Sequence, residues 1–103
     1  MTLKELKDRC ADAKITYQYG MVEDGTEPPY LVGIVSDSNN FIADNCVYKK
    51  IDSVELYYTY KVKDTDIEDT IENTILEGVV WRKGDENFFN DDKVWQVVYY
   101  FNI

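Results

Sequence analysis

The chain has 103 residues, with 20 acidic against 11 basic side chains, no histidine and a formal net charge of -9. One domain fits that length and two do not, and 45% hydrophobic residues with 15% aromatics are too many for a disordered chain. The acid excess argues against phosphate-backbone binding as the main task. The lack of imidazole excludes a histidine-based triad, a histidine metal site and an imidazole pH switch.

The first element is a helix over Thr2–Ala13. Thr2 and Glu5 have the spacing of a capping box, and Met1 and Leu6 that of a hydrophobic staple. Leu3, Leu6, Cys10 and Ala13 form one apolar stripe. This charged segment lacks the apolar run of a secretory leader, and nowhere does the chain approach the ~18 apolar residues of a membrane helix. A soluble protein of a reducing compartment is expected. Cys10 and Cys46 do not form a CxxC pair, so a zinc ribbon or thioredoxin-type motif is excluded. Free buried thiols are favoured over a single bridge.

Ile15, Tyr17 and Tyr19 alternate with polar residues, predicting a short strand that stops at Gly20. Glu23–Pro29, with a glycine and two prolines, reads as a loop. Tyr30–Val35 reads as a strand, Ser36–Asn40 as a turn, and Phe41–Ala43 as the returning arm of a hairpin. In the strand Asp52–Val62, Val54, Leu56, Tyr58, Tyr60 and Val62 share one face, and Ser53, Glu55, Tyr57, Thr59 and Lys61 the other.

Thr65 and Glu68 have the spacing of a second capping box, and Ile67, Ile71 and Ile75 recur at helical spacing. Gly78 stands where a glycine would end that helix. Val79–Lys83 is a strand that can extend towards Phe89, Asn90–Asp92 a turn, and Val94–Ile103 the last strand. The order is α-β-β-β-β-α-β-β. Short connections favour α+β, with a mainly antiparallel sheet flanked by two helices.

Candidate chemistry is sparse. The acidic run at Asp64–Asp69 lacks the glycine and glutamate that a calcium loop needs at its sixth and twelfth positions, so the carboxylates are read as stabilising a helix N-terminus. No carboxylate pair is marked for acid–base work. No catalytic, cofactor-binding or metal residues are expected, and no enzyme. Lys49-Lys50 and Arg82-Lys83 are too few for a nucleic-acid site.

The tyrosines are more informative. Tyr57-Tyr58 and Tyr99-Tyr100 put aromatic surface on both sides of a sheet. Aromatic enrichment is a property of interface cores, so Tyr57, Tyr99, Phe101 and Ile103 are candidates for contact with another subunit. The apolar final strand reads as an exposed edge. Residues 64–77 and 85–92 hold the acid excess on an otherwise near-neutral chain. Asp66, Asp69, Glu72, Asp91 and Asp92 are the candidate acidic surface.

Pro29-Tyr30-Leu31-Val32, the turn Ser36–Asn40 and the segment from Phe41 to Ile51 (FIADNCVYKKI) resemble small tail-completion proteins of siphophages and prophages of Gram-positive hosts. The likeness continues through Val54–Tyr60, the acidic helix Asp66–Glu77, Val80–Lys83 and Val94–Phe101. What it implies is a tail-terminator-like fold in a head-to-tail joining protein. Such proteins form a ring, commonly a hexamer, on the head-proximal end of the tail tube. Implied partners are the tail tube protein and the head-completion or connector protein, with DNA only passing through the lumen and no membrane. Implied location is the neck of the virion, after assembly in the host cytoplasm. An acidic lumen would repel DNA and let it slide. The loop over residues 20–29 has no counterpart in the resemblance. An acidic DNA mimic that blocks a host nuclease or restriction enzyme is the alternative.

Overall fold

A computed structural model of the chain describes residues 1–38, 41–43, 46–49 and 51–103, with side chains for 1–36 and 51–103. The elements are α1 (Leu3–Asp12), β1 (Tyr17–Tyr19), β2 (Tyr30–Ser38), β3 (Phe41–Ala43), β4 (Cys46–Lys49), β5 (Asp52–Tyr60), α2 (Thr65–Thr70) with a π turn over Ile71–Ile75, β6 (Trp81–Phe89) and β7 (Val94–Asn102). The architecture is α+β, with two helical segments against a five-stranded sheet of order β1-β2-β5-β7-β6. The sheet is mixed. β1 runs parallel to β2, and the other pairings are antiparallel.

Two pairings correct the sequence reading. β2 returns onto β5, Leu31 opposite Tyr58 and Gly33 opposite Leu56, while Phe41–Ala43 pairs with β4 in a two-stranded sheet of its own. Local hairpin spacing hid this, because the β3–β4 hairpin is inserted between two long partners. The second correction concerns the last strand. β7 lies between β5 and β6, so it is interior and its apolar run needs no second chain to cover it. The expected turn at Ser36–Asn40 is shortened by β2 reaching Ser38; Asn39 and Asn40 lie outside the described residues, as do Asp44, Asn45 and Lys50.

Alternation and helical spacing meet in one core. Leu31, Val54, Leu56, Tyr58, Tyr60, Val97, Tyr99 and Phe101 from the sheet pack with Leu6 and Cys10 of α1 and with Ile71, Ile75 and Leu76. Burying each such side chain contributes about 1.5–3 kcal/mol. The π turn explains why three residues of the second helix reach the core. Leu76 N–H bonds the Ile71 carbonyl at 2.9 Å, one residue further than in an α-helix, which keeps Leu76 on the buried face. Tyr58 and Tyr60 stack with ring centroids 4.9 Å apart.

The ends of α1 follow local rules. Glu5 N–H donates to the Thr2 hydroxyl at 3.1 Å. At the other end Lys14 N–H bonds Ala11 O and Ile15 N–H bonds Cys10 O, the paired bonds of a Schellman motif, with Lys14 at φ 60° where glycine is the usual choice. The cap of α2 falls one residue before the expected position. Asp64 accepts from the backbone N–H groups of Asp66 and Ile67. Gly78 takes the left-handed conformation (φ 78°) just after the second helix, as its position predicts. Arg9 then crosses from α1 and donates to the Ile75 and Glu77 carbonyls at 3.0 and 2.8 Å, satisfying acceptors that a helix end leaves open.

Candidate interaction surfaces

Three surfaces distinguish themselves. The first is a charged network between α2 and the sheet. Trp81 and Lys83 alternate onto the same face of β6, the one under the helices. Lys83 Nζ reaches Glu68 at 2.8 Å and Glu72 at 3.0 Å, and Lys63 Nζ reaches Glu68 at 2.9 Å and Glu86 at 2.8 Å. Glu72 also accepts from the Tyr99 hydroxyl at 2.7 Å. Burial by itself raises the Glu68 carboxyl, but hydrogen bonds from Lys83 and Lys63 outweigh it and hold the group below the ordinary carboxylate range. Burial and the Glu72 carboxylate push Tyr99 far above the ordinary tyrosine range.

This network revises the acidic surface. Glu72 is committed to Lys83 and Tyr99 and does not act as free surface charge. Asp66 and Asp69 on α2 are exposed, and so are Asp91 and Asp92 in the turn after β6. The sequence reading missed Glu68, Lys63 and Lys83 as partners. The signal was present in the alternation Trp81–Lys83, which puts a lysine on the inward face opposite an acidic helix.

The second surface is the sheet face away from the helices. It carries Tyr30, Val32, Ile34, Tyr57 and Tyr100, all only partly buried, with the Arg82 guanidinium 4.2 Å above the Tyr100 ring. Gly20, Met21 and Val22 of the loop border a shallow depression of about 570 Å³ over Val32, Ile34 and Tyr57. Tyr57 therefore stands where a subunit contact can use it. Tyr99 and Phe101 do not, since their rings are 0% and 5% exposed in the core under the helices. Ile103 packs at the margin of that core.

The third comprises the two edges. At the β6 edge, the rings of Phe88 and Trp95 meet with centroids 5.1 Å apart at a tilt of 55°, both exposed, and Phe89 is exposed beside them. At the β1 edge, Leu3, Lys4, Lys7, Tyr17 and Tyr19 line an apolar groove of about 330 Å³ between α1 and β1.

The β2 end, the β5 start and the β3–β4 hairpin meet at one pole, where Ser38 pairs with Asp52. The loop over residues 20–29 and the turn after β6 meet at the other, where Glu23, Asp24, Glu27 and Asp92 gather around Lys61. The molecule measures 50 × 27 × 23 Å. Among the described residues no group of side chains is suited to hold a metal ion, and no helix is long and apolar enough to cross a membrane. Cys10 is a buried free thiol that burial pushes up to about 12; the Cys46 side chain lies outside the described residues. The chain matches no protein-family model and no curated protein sequence.

Proposed function

We propose that the protein is a structural tail-completion protein of a siphophage or prophage, a tail-terminator-like domain that caps the tail tube and joins it to the head connector as a hexameric ring. The observation that carries this reading is the sheet with helices on one face only. Its other face presents Tyr30, Val32, Ile34, Tyr57 and Tyr100, an aromatic composition suited to contact with other chains. The β3–β4 hairpin, which holds the segment of strongest resemblance, adds a projecting element at one pole. The role requires assembly and no catalytic step.

In such a ring Asp66 and Asp69 on α2 are the acids left to face the lumen, since Glu68 and Glu72 are tied to lysines. The same pairing weakens the alternative of a DNA mimic, which would need those carboxylates free to stand in for phosphates. Native mass spectrometry followed by negative-stain imaging, alone and with purified tail tubes, tests the proposal. Six-fold rings at tube ends are expected. A chain that forms no ring and ignores tube ends overturns it. Asp66→Lys with Asp69→Lys should leave rings intact but slow DNA ejection, and unchanged ejection would remove the lumen assignment.

A further inference from the structure

We infer that the chain contacts a second copy of itself head to tail, by inserting the aromatic, acidic tip of the β6–β7 hairpin into the groove between α1 and β1 of its neighbour. The inference rests on the assembly proposed above and assigns the surfaces that join successive copies.

The tip carries Phe88 and Trp95, 44% and 38% exposed, in contact with one another at a tilt of 55° on the helix-side face of the sheet. Aromatic side chains left this open on a small chain are typical interface anchors. The hairpin also carries exposed Asp85 in the bulge of β6 and exposed Asp91 and Asp92 in the turn; Glu86 is bound to Lys63, and Lys93 is the one cation in the turn. The groove offers the complement. Leu3, Tyr17 and Tyr19 supply apolar walls, and at about 330 Å³ it has room for an aromatic ring. Lys4 and Lys7 flank it and are exposed. An acidic aromatic tip thus faces a basic apolar groove, and complementary potentials favour that pairing over tip on tip or groove on groove.

The sheet keeps the two surfaces apart. β1 and β6 are opposite edges of one sheet, about 19 Å apart at the usual strand spacing. Both surfaces belong to the helix side. They are offset along the strands. The level of Tyr17 runs through Leu31, Tyr58 and Val97 to Glu86, that of Tyr19 through Gly33, Leu56 and Tyr99 to Lys83, and Phe88 lies beyond both, towards the turn. Two different patches at opposite edges of one layer make a heterologous contact that repeats from copy to copy. Such a contact closes into a ring where its rotation returns to the first copy, and otherwise builds a helical filament. Strand addition at β6 is a poorer route, because the bulge between Lys83 and Glu86 and the charged side chains there blunt the edge.

Charge reversal in trans tests this. One variant carries Lys4→Glu and Lys7→Glu; the other carries Asp91→Lys and Asp92→Lys. Each alone should lose self-association by at least about tenfold, from like charges brought together. Mixing the two should restore oligomers of alternating composition, because each variant's reversed patch then meets an opposite charge. Circular dichroism of the separate variants shows that each is folded, and restoration on mixing itself excludes misfolding. Phe88→Ser should weaken association without rescue by either partner. Oligomers of the unaltered chain that ignore both reversals overturn this contact and leave the ring reading standing. Oligomers that reverse and rescue as described, but never bind tube ends, uphold the contact and overturn the tail reading. A strict monomer at millimolar concentration overturns the contact.

Discussion

Replacing Glu68 with glutamine tests the charged network most directly. The carboxylate is almost fully buried, with 5% of its side chain exposed, and both its cationic partners stand within 3.0 Å. Hydrogen bonds to charged groups contribute about 1.5–3 kcal/mol each. The full loss of two is not expected. Lys83 keeps Glu72 and Lys63 keeps Glu86, and these lysines are 35% and 50% exposed and can rehydrate. Glutamine also retains an acceptor oxygen. Glu68→Gln should therefore destabilise by about 2 kcal/mol, and Glu68→Ala by about 3 kcal/mol once the unfilled volume is added. Glu68→Leu should cost less than alanine, since an apolar side chain of similar size removes the buried charge altogether.

Urea denaturation followed by tryptophan fluorescence measures each variant, with Asp69→Asn as the exposed control, expected within about 0.5 kcal/mol of the parent. A cycle combining Glu68→Gln with Lys83→Met should show a coupling of about 1 kcal/mol. The pH dependence has a fixed sign. The Glu68 carboxyl is held below its ordinary value of 4.5, so its stabilisation is complete above that value and disappears as pH falls through the lower folded one. The parent should lose more stability than Glu68→Gln on acidification below about pH 4.5. A Glu68→Gln variant as stable as the control, with the parent's acid profile, would refute the assignment of net stabilisation to this carboxylate.

Arg9→Met should cost about 1.5 kcal/mol in the same urea assay, because two carbonyls after the second helix lose a charged donor while remaining within reach of water, and Arg9→Lys should recover part of it. Lys14→Gly should raise stability by about 0.5–1 kcal/mol by relieving a side chain at φ 60° after α1, and any loss would refute that account of the helix end. Burial first, then Asp64 and Glu68, push Tyr58 up to about 12, so the fold keeps this phenol neutral above its ordinary value of 10. Stability should be complete below pH 10 and fall as pH rises from 10 to about 12, with tyrosinate absorbance from the core rings appearing only as the chain unfolds.

The sequence carries local structure well where one residue type has one physical use. Thr2 and Glu5 mark the start of α1, Gly78 marks the end of the second helix, and alternation in Val54–Tyr60 separates core from surface at every position but Thr59, which is buried on the outer face. Pairing is less legible, because alternation assigns faces but not neighbours. Tyr30–Ser38 can pair with the next apolar run or with a later one, and the nine-residue length of β5 makes it the better partner. The parallel β1–β2 contact has no sequence signal beyond its shortness. Tyr99 shows why surface candidates were harder. Its alternation was correctly read, but nothing in β7 alone says which face the helices take.

Counting charge along the chain also differs from locating it in space. The charged residues of 64–77 are all acids, yet Asp64 serves a helix cap, Glu68 is buried between two lysines, and Glu72 joins Lys83 to Tyr99. Their neutralising cations come from the segment between β5 and α2 and from the start of β6. Six acids of the two segments are left over: Asp66 and Asp69 on α2, Glu77 after the second helix, and Asp85, Asp91 and Asp92 in β6 and the turn beyond it. Exposed carboxylates contribute little to stability and repel one another, and of these six only Asp66, in the first turn of α2, meets the positive end of a helix. In the proposed assembly Asp66 and Asp69 would repel a passing polyanion, and Asp91 and Asp92 beside the aromatic tip would select a basic groove on the next copy.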